Sequence, residues 1–179
     1  MQRIVSSIKT LEHHCRAIID TPEVYRPPCC PHCGLKVMWR HGHYERKADR
    51  GGHDGPSLNP VPVSRYSCSG CRRTCSRLPL CIAPRRWYDW AVQQAVLVFL
   101  LVGGSLHECS RCGRCLDRRT LRRWRDWLES RSDVFSFFLR SRFPEWGRSA
   151  DGPPFWCAVL DHTSLADVMA WLDRDLIVP

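Results

Sequence analysis

Two cysteine pairs carry the strongest chemistry in this 179-residue chain. They stand in Cys30-Pro-His-Cys33-Gly and Cys68-Ser-Gly-Cys71, and each C-x-x-C turn can present two sulfurs to one ion. Four thiolates complete a tetrahedral shell, which suits a single structural Zn2+ and leaves no open position for catalysis. Gly34 and Gly70 are expected to permit the tight backbone of the two turns. Between Cys33 and Cys68 lie 34 residues, more than the roughly 15 to 20 of the commonest paired spacing. A loop insertion accounts for the surplus, since closing a longer loop costs free energy only logarithmically. Buried free thiols or a redox pair would explain the cysteines too, but not their placement at both ends of strand-like segments.

The other candidate ligands read differently. Cys29 and Cys75 adjoin the pairs and could replace a ligand, yet small apolar filling suits them better. His32, His41 and His43 read as surface or strand histidines once four cysteines are available. Cys109, Cys112 and Cys115 repeat as C-x-x-C-x-x-C, but two of them fall where a helix-turn-helix needs small buried residues, so a second metal is not expected.

A second constellation is basic. In the run from Arg118 to Leu128, Leu121, Trp124 and Leu128 share one helical face, which leaves Arg118, Arg119, Arg122, Arg123 and Arg125 as candidate contacts to DNA. Asp117 fits the N-cap. A guanidinium at such a helix end can grip phosphate or read guanine in a major groove, whereas the bland alternative is a solvated basic face.

These residues need elements to hold them. Residues 1–28 read as an N-terminal helix, with Ile4, Ile8, Leu11, Cys15 and Ile18 at helical spacing until Thr21-Pro22. Residues 29–81 hold the cysteine pairs and two strand-like stretches, Lys36–Arg46 and Val61–Tyr66, joined by the surface loop Lys47–Pro60. Residues 85–129 switch to helical period: an apolar helix from Trp87 to Val102, a short one at Leu106–Cys112 ending near Gly113, and the arginine helix at Arg118–Leu128. Leu121 lies eight residues past Gly113, so the turn between the last two is expected to be longer than the tight form of the motif. Residues 130–179 form a C-terminal helical extension that finishes with a helix from Ser164 to Arg174. The expected fold class is small α+β: a zinc ribbon on a short antiparallel β-hairpin, then an all-α helix-turn-helix region.

Charge and composition narrow the function. Against 18 Asp+Glu stand 27 Lys+Arg, a formal charge of +9. Nearly all of the cations are arginine, whose planar fork matches phosphate and guanine edges. The amino terminus has no apolar core of the secretory kind and the longest apolar run, Ala95–Val102, is far short of a membrane span. A cytoplasmic, nucleoid-associated protein is therefore expected, with double-stranded DNA as partner and no membrane or small-molecule substrate. Asp151, Asp161, Asp167, Asp173 and Asp175 are the late acidic residues worth testing as a catalytic set, but too little chain follows Leu128 for a nuclease sheet. They read as helix caps and surface charges, and no catalytic residue is assigned.

Taken with His41-Gly-His43-Tyr44, Arg65-Tyr66, Arg72-Arg73-Thr74 and Leu78-Pro79, the ribbon resembles the zinc-ribbon amino-terminal regions of bacterial insertion-sequence transposases and their accessory proteins. Thr120-Leu-Arg-Arg-Trp124 resembles the Thr-x-x-Arg-Trp pattern that ends their helix-turn-helix. Cys75 departs from the phenylalanine usual there. The resemblance covers residues 30–128 and implies that the arginine helix recognises element ends or an operator. A transposase or a second copy of the chain would be a further partner. A free-standing transcriptional regulator uses the same residues, and a zinc-stabilised protein-interaction module is the reading in which the basic face is incidental.

Overall fold

A computed structural model describes residues 3–49, 56–84, 88–111, 116–176 and 178, and they fall into two units, one of residues 1–89 with 169–179, the other of residues 90–168. The protein is small and α+β, with a short antiparallel sheet and several helices.

The first unit is built on strand pairing. Strand β1 (Ile4–Val5) runs parallel to β5 (Leu78–Pro79), with Ile4 opposite Leu78. Strands β2 (Met38–Arg46), β3 (Val61–Cys68) and β4 (Thr74–Cys75) form an antiparallel sheet in that order. The expected hairpin is thus present, with a short third strand added. A break in register between Arg40 and His43 coincides with Gly42 at φ +73°, a bulge that an extra residue makes at no steric cost only when it is glycine.

The amino terminus corrects the expected helix over residues 1–28. Helix α1 covers only Leu11–Asp20, started by Thr10, whose hydroxyl accepts from the His13 amide. Ile4, Val5 and Ile8 are buried as strand and turn residues instead. Their apolar spacing serves either period, and β-branched Ile4 and Val5 find a ready partner in the edge at Leu78. A second correction concerns Asp173, read from sequence as surface charge. It is buried, and its Oδ2 accepts the amide protons of Arg3 and Ile4, so it caps the free end of β1. Burial is the larger effect and pushes its carboxyl up to about 6, against the pull of those two amides.

His14 is another buried polar group of this unit. Nε2 donates to the Pro62 carbonyl at 2.8 Å, so Nδ1 must accept from the Tyr25 hydroxyl. Burial lowers its pKa below 6.5, and the Pro62 bond only partly opposes this. The unfolded chain therefore takes up a proton below pH 6.5 that the folded chain refuses, and stability present above that pH is lost as pH falls through it. The imidazole should accordingly take up its proton at a lower pH than a free histidine does, and carry the single proton of its neutral form on Nε2. A nitrogen-shift titration with a midpoint at or above 6.5 would refute the assignment.

In the second unit α2 (Trp90–Leu101), α3 (Leu106–Arg111) and α4 (Arg118–Arg142) pack on one another, joined by α5 (Pro153–His162). Gln94 ties the unit together, accepting from the Leu165 amide and donating to the Leu160 carbonyl. Residues 112–115, the expected turn with Cys112, Gly113 and Cys115, lie outside the described residues, as does Trp87. The boundary expected at 129/130 falls inside one helix. α4 is 25 residues long, because Phe135 and Leu139 extend the buried stripe of Leu121, Trp124 and Leu128 without a break. Helix α6 (Leu165–Leu172) follows Ser164, whose hydroxyl accepts from the Asp167 amide and donates to its carboxylate. No described helix is long and apolar enough to cross a membrane.

Candidate metal centre

Folding brings Cys30, Cys33, Cys68 and Cys71 together, with all four sulfurs within 4.8 Å of one another. Cys30 Sγ is 3.5 Å from Cys71 Sγ, and Cys33 Sγ is 3.6 Å from Cys68 Sγ. A tetrahedral shell with metal–sulfur bonds of about 2.3 Å sets sulfurs about 3.8 Å apart, so the donor set fits one soft or borderline metal ion. Among the described residues no other cluster of three or more His, Cys, Asp or Glu side chains is arranged to do the same. Cys29, Cys75, His32, His41 and His43 are not part of it. Cys75 is half-buried against the core of Tyr25, Met38 and Tyr66, the filling role expected of it. Cys109 is buried in α3.

The two cysteine turns are built alike. The amide of Gly34 donates to the Cys30 carbonyl and that of Arg72 to the Cys68 carbonyl, at 3.0 and 2.9 Å. Cys30 and Cys68 in turn donate to the carbonyls of Leu35 and Arg73. A Ser69 amide bond to the Val37 carbonyl stitches one turn to the strand that leaves the other. The matching residues Gly34 and Arg72 are both left-handed, at φ +75° and +58°. The second turn therefore depends on Arg72, not on Gly70 as the sequence suggested. Gly70 matters for space, since a Cβ there would meet the Leu35 side chain at 2.4 Å.

Arginine carries the left-handed penalty that glycine escapes. Arg72→Gly is expected to stabilise the metal-loaded unit by roughly 0.5–1 kcal/mol, and Gly34→Ala to destabilise it by about 1 kcal/mol. Denaturant titration would read both, and a destabilising Arg72→Gly would show that the side chain supports the fold.

The thiols share protons unevenly. Burial resists ionisation of Cys30, but the amides of His32 and Cys33 and the Cys71 thiol outweigh it and bring Cys30 down to about 6. At Cys33 the Leu35 amide favours the thiolate, yet burial and the neighbouring thiols prevail and push it up to about 12. Metal uptake would expel the remaining protons, and it links the ends of β2 and β3 at one point.

The arginines lie on the second unit. Arg118, Arg119, Arg122 and Arg123 are exposed, and among the described residues none of the four makes an ion pair. Arg125 is less available, half-buried and held by Asp126 at 3.0 Å and Glu129 at 3.6 Å. Asp117 caps the helix by accepting from the Arg119 amide at 2.7 Å.

A family model described as a domain of unknown function, DUF6431, matches residues 30–124, just over half of the chain. No curated protein and no solved structure matches.

Proposed function

The chain belongs to the DUF6431 family, whose match begins at the first cysteine of the metal centre and ends at Trp124, and from that premise we propose that it is a DNA-binding protein. In this reading a structural Zn2+ held by Cys30, Cys33, Cys68 and Cys71 makes residues 29–81 a zinc ribbon. Helices α3 and α4 act as a helix-turn-helix whose second helix contacts double-stranded DNA through Arg118, Arg119, Arg122 and Arg123, with Arg125 a weaker contributor. Zinc supplies folding energy here and no reaction chemistry.

One observation carries the reading. The first turn of α4 holds two exposed arginines and no acidic residue, an arrangement that works against the helix dipole by about 0.3–1 kcal/mol per charge. The N-cap carboxylate of Asp117 accepts from the Arg119 amide, but among the described residues it makes no ion pair with either guanidinium group. Cations at that end become favourable when phosphates arrive, because the amides and the guanidinium groups then face the same anion.

The resemblance to insertion-sequence transposases supports the terminal repeats of a mobile element as target, with the chain acting as an accessory factor or as the DNA-binding part of a transposase. Selection from random duplexes at fixed salt tests this. Recovery of one motif that also occurs at the ends of the chain's own element supports it. Recovery of no motif, with affinity insensitive to salt, would leave only a protein-interaction role.

A further inference from the structure

The first unit carries an aromatic and basic surface that neither the metal centre nor the arginine helix uses. Leu35, Val37 and Trp39 alternate along the chain into and along β2, and remain 50%, 38% and 64% exposed. Such a ridge beside a closed core is unusual, because an exposed indole forgoes about 1.5–3 kcal/mol of burial. Trp39 lies opposite Ser67 on β3, and Ser67 lies opposite Thr74 on β4. Across the sheet the row is thus indole, hydroxyl, hydroxyl: small neighbours leave the ring face open and offer hydrogen bonds. On the same face of β3, two residues from Ser67, the Arg65 guanidinium sits 5.4 Å from the centroid of the Tyr44 ring.

Charge decides the occupant. Arg72 and Arg73 are exposed in the turn that leads into Thr74, whereas Lys36 and Arg40 alternate with the ridge residues and Arg40 pairs with the buried Tyr66 on the other face. The acids of the described ribbon segment are Glu45, at the far end of β2, and Asp49, which is buried and accepts from the Leu58 amide. A second copy of this chain would set like charges against one another in a two-fold contact. A duplex hides its base faces and cannot use an open indole. A single strand offers both what the cations need, phosphate, and what the ring needs, an unstacked base.

We propose that the Trp39 face of the sheet is a single-stranded nucleic-acid surface, on which a base stacks against the indole while Arg65, Arg72 and Arg73 hold the flanking phosphates. The left-handed Arg72 fits this, since a residue held at a conformational cost has a use that glycine would not serve. The surface does not depend on α4, and a chain that opened or held unpaired ends of its target would use both.

The test is anisotropy of labelled oligo-dT, about sixteen nucleotides long, against the full metal-loaded chain. Stacking on one aromatic is worth about 1–3 kcal/mol, so Trp39→Ala should weaken binding roughly 5- to 150-fold, with Trp39→Phe recovering much of it. Metal content and melting should match the parent, because the side chain is already exposed. Arg122→Ala should leave oligo-dT affinity unchanged, which separates this surface from duplex binding by α4. Oligo-dT affinity equal in Trp39→Ala and parent would overturn the proposal. So would a parent that binds no oligo-dT in low salt, or a Trp39→Ala effect confined to self-association or to binding of phosphatidylserine vesicles.

Discussion

Cys33→Ser and Cys71→Ser should each abolish stoichiometric zinc binding and unfold the cysteine-bearing sheet. The magnitude follows from what the metal replaces. Strands β4 and β5 are two residues each, and β2 is exposed over most of its length. Metal binding at a structural four-thiolate site is worth about 10–16 kcal/mol in apparent free energy, comparable with the whole stability of an ordinary domain at about 5–15 kcal/mol. Losing one ligand leaves three sulfurs and a residual affinity too low to compensate for the ordering of both turns. Metal analysis should therefore read one zinc per parent chain and close to none per variant chain. Amide exchange should show loss of protection in β2 and β3 while α2 and α4 keep theirs. Cys75→Ser is the control, since its sulfur is not among the four, and it should retain the metal. Retention of zinc by both Cys33→Ser and Cys71→Ser would reassign the ligands.

The four-cysteine cluster was legible because its signal is local. A C-x-x-C turn fixes two sulfurs by backbone geometry alone, and strand-like residues on either side say how two turns can meet. The left-handed residue of the second turn was not legible. Gly70 looked like the permissive position, but the repeated hydrogen-bond pattern places the conformation one residue after the second cysteine, where the sequence has Arg72. Residues 4–8 show the limit of periodicity, since Ile4, Val5 and Ile8 satisfy a helix on paper and only the distant strand at Leu78 decides otherwise. Asp173 was misread for the same reason, because its partners, the amides of Arg3 and Ile4, lie about 170 positions away in sequence. The arginine helix was read correctly in face and N-cap but cut short. Its end depends on where Phe135 and Leu139 find a core, which spacing within the helix does not reveal.

For the arginine helix the expected result has two parts of opposite sign. Arg119→Ala and Arg122→Ala should each weaken duplex binding about 5- to 150-fold where the guanidinium reads a base, at about 1–3 kcal/mol per bidentate contact. Where it grips only phosphate the loss is smaller and equal across sequences. The slope of log affinity against log salt should then fall by about 0.9 for each phosphate released. Stability should not fall with affinity. Both residues are exposed, and the buried anchors of the helix are Leu121, Trp124 and Leu128, on another face. Arg119 stands in the first turn beside its own N-cap, where removing a positive charge relieves the dipole and should raise stability by about 0.3–1 kcal/mol. Arg125→Ala should differ from both. Its guanidinium already bonds Asp126 and Glu129, so its removal releases two carboxylates onto the same helix and changes DNA affinity partly through their repulsion. The informative outcome is an Arg119→Ala protein that melts at or above the parent's temperature and binds its duplex more weakly. Equal binding by Arg119→Ala and Arg122→Ala would remove this helix from the DNA interface, and a lowered melting temperature in Arg119→Ala would show that its arginine serves the fold.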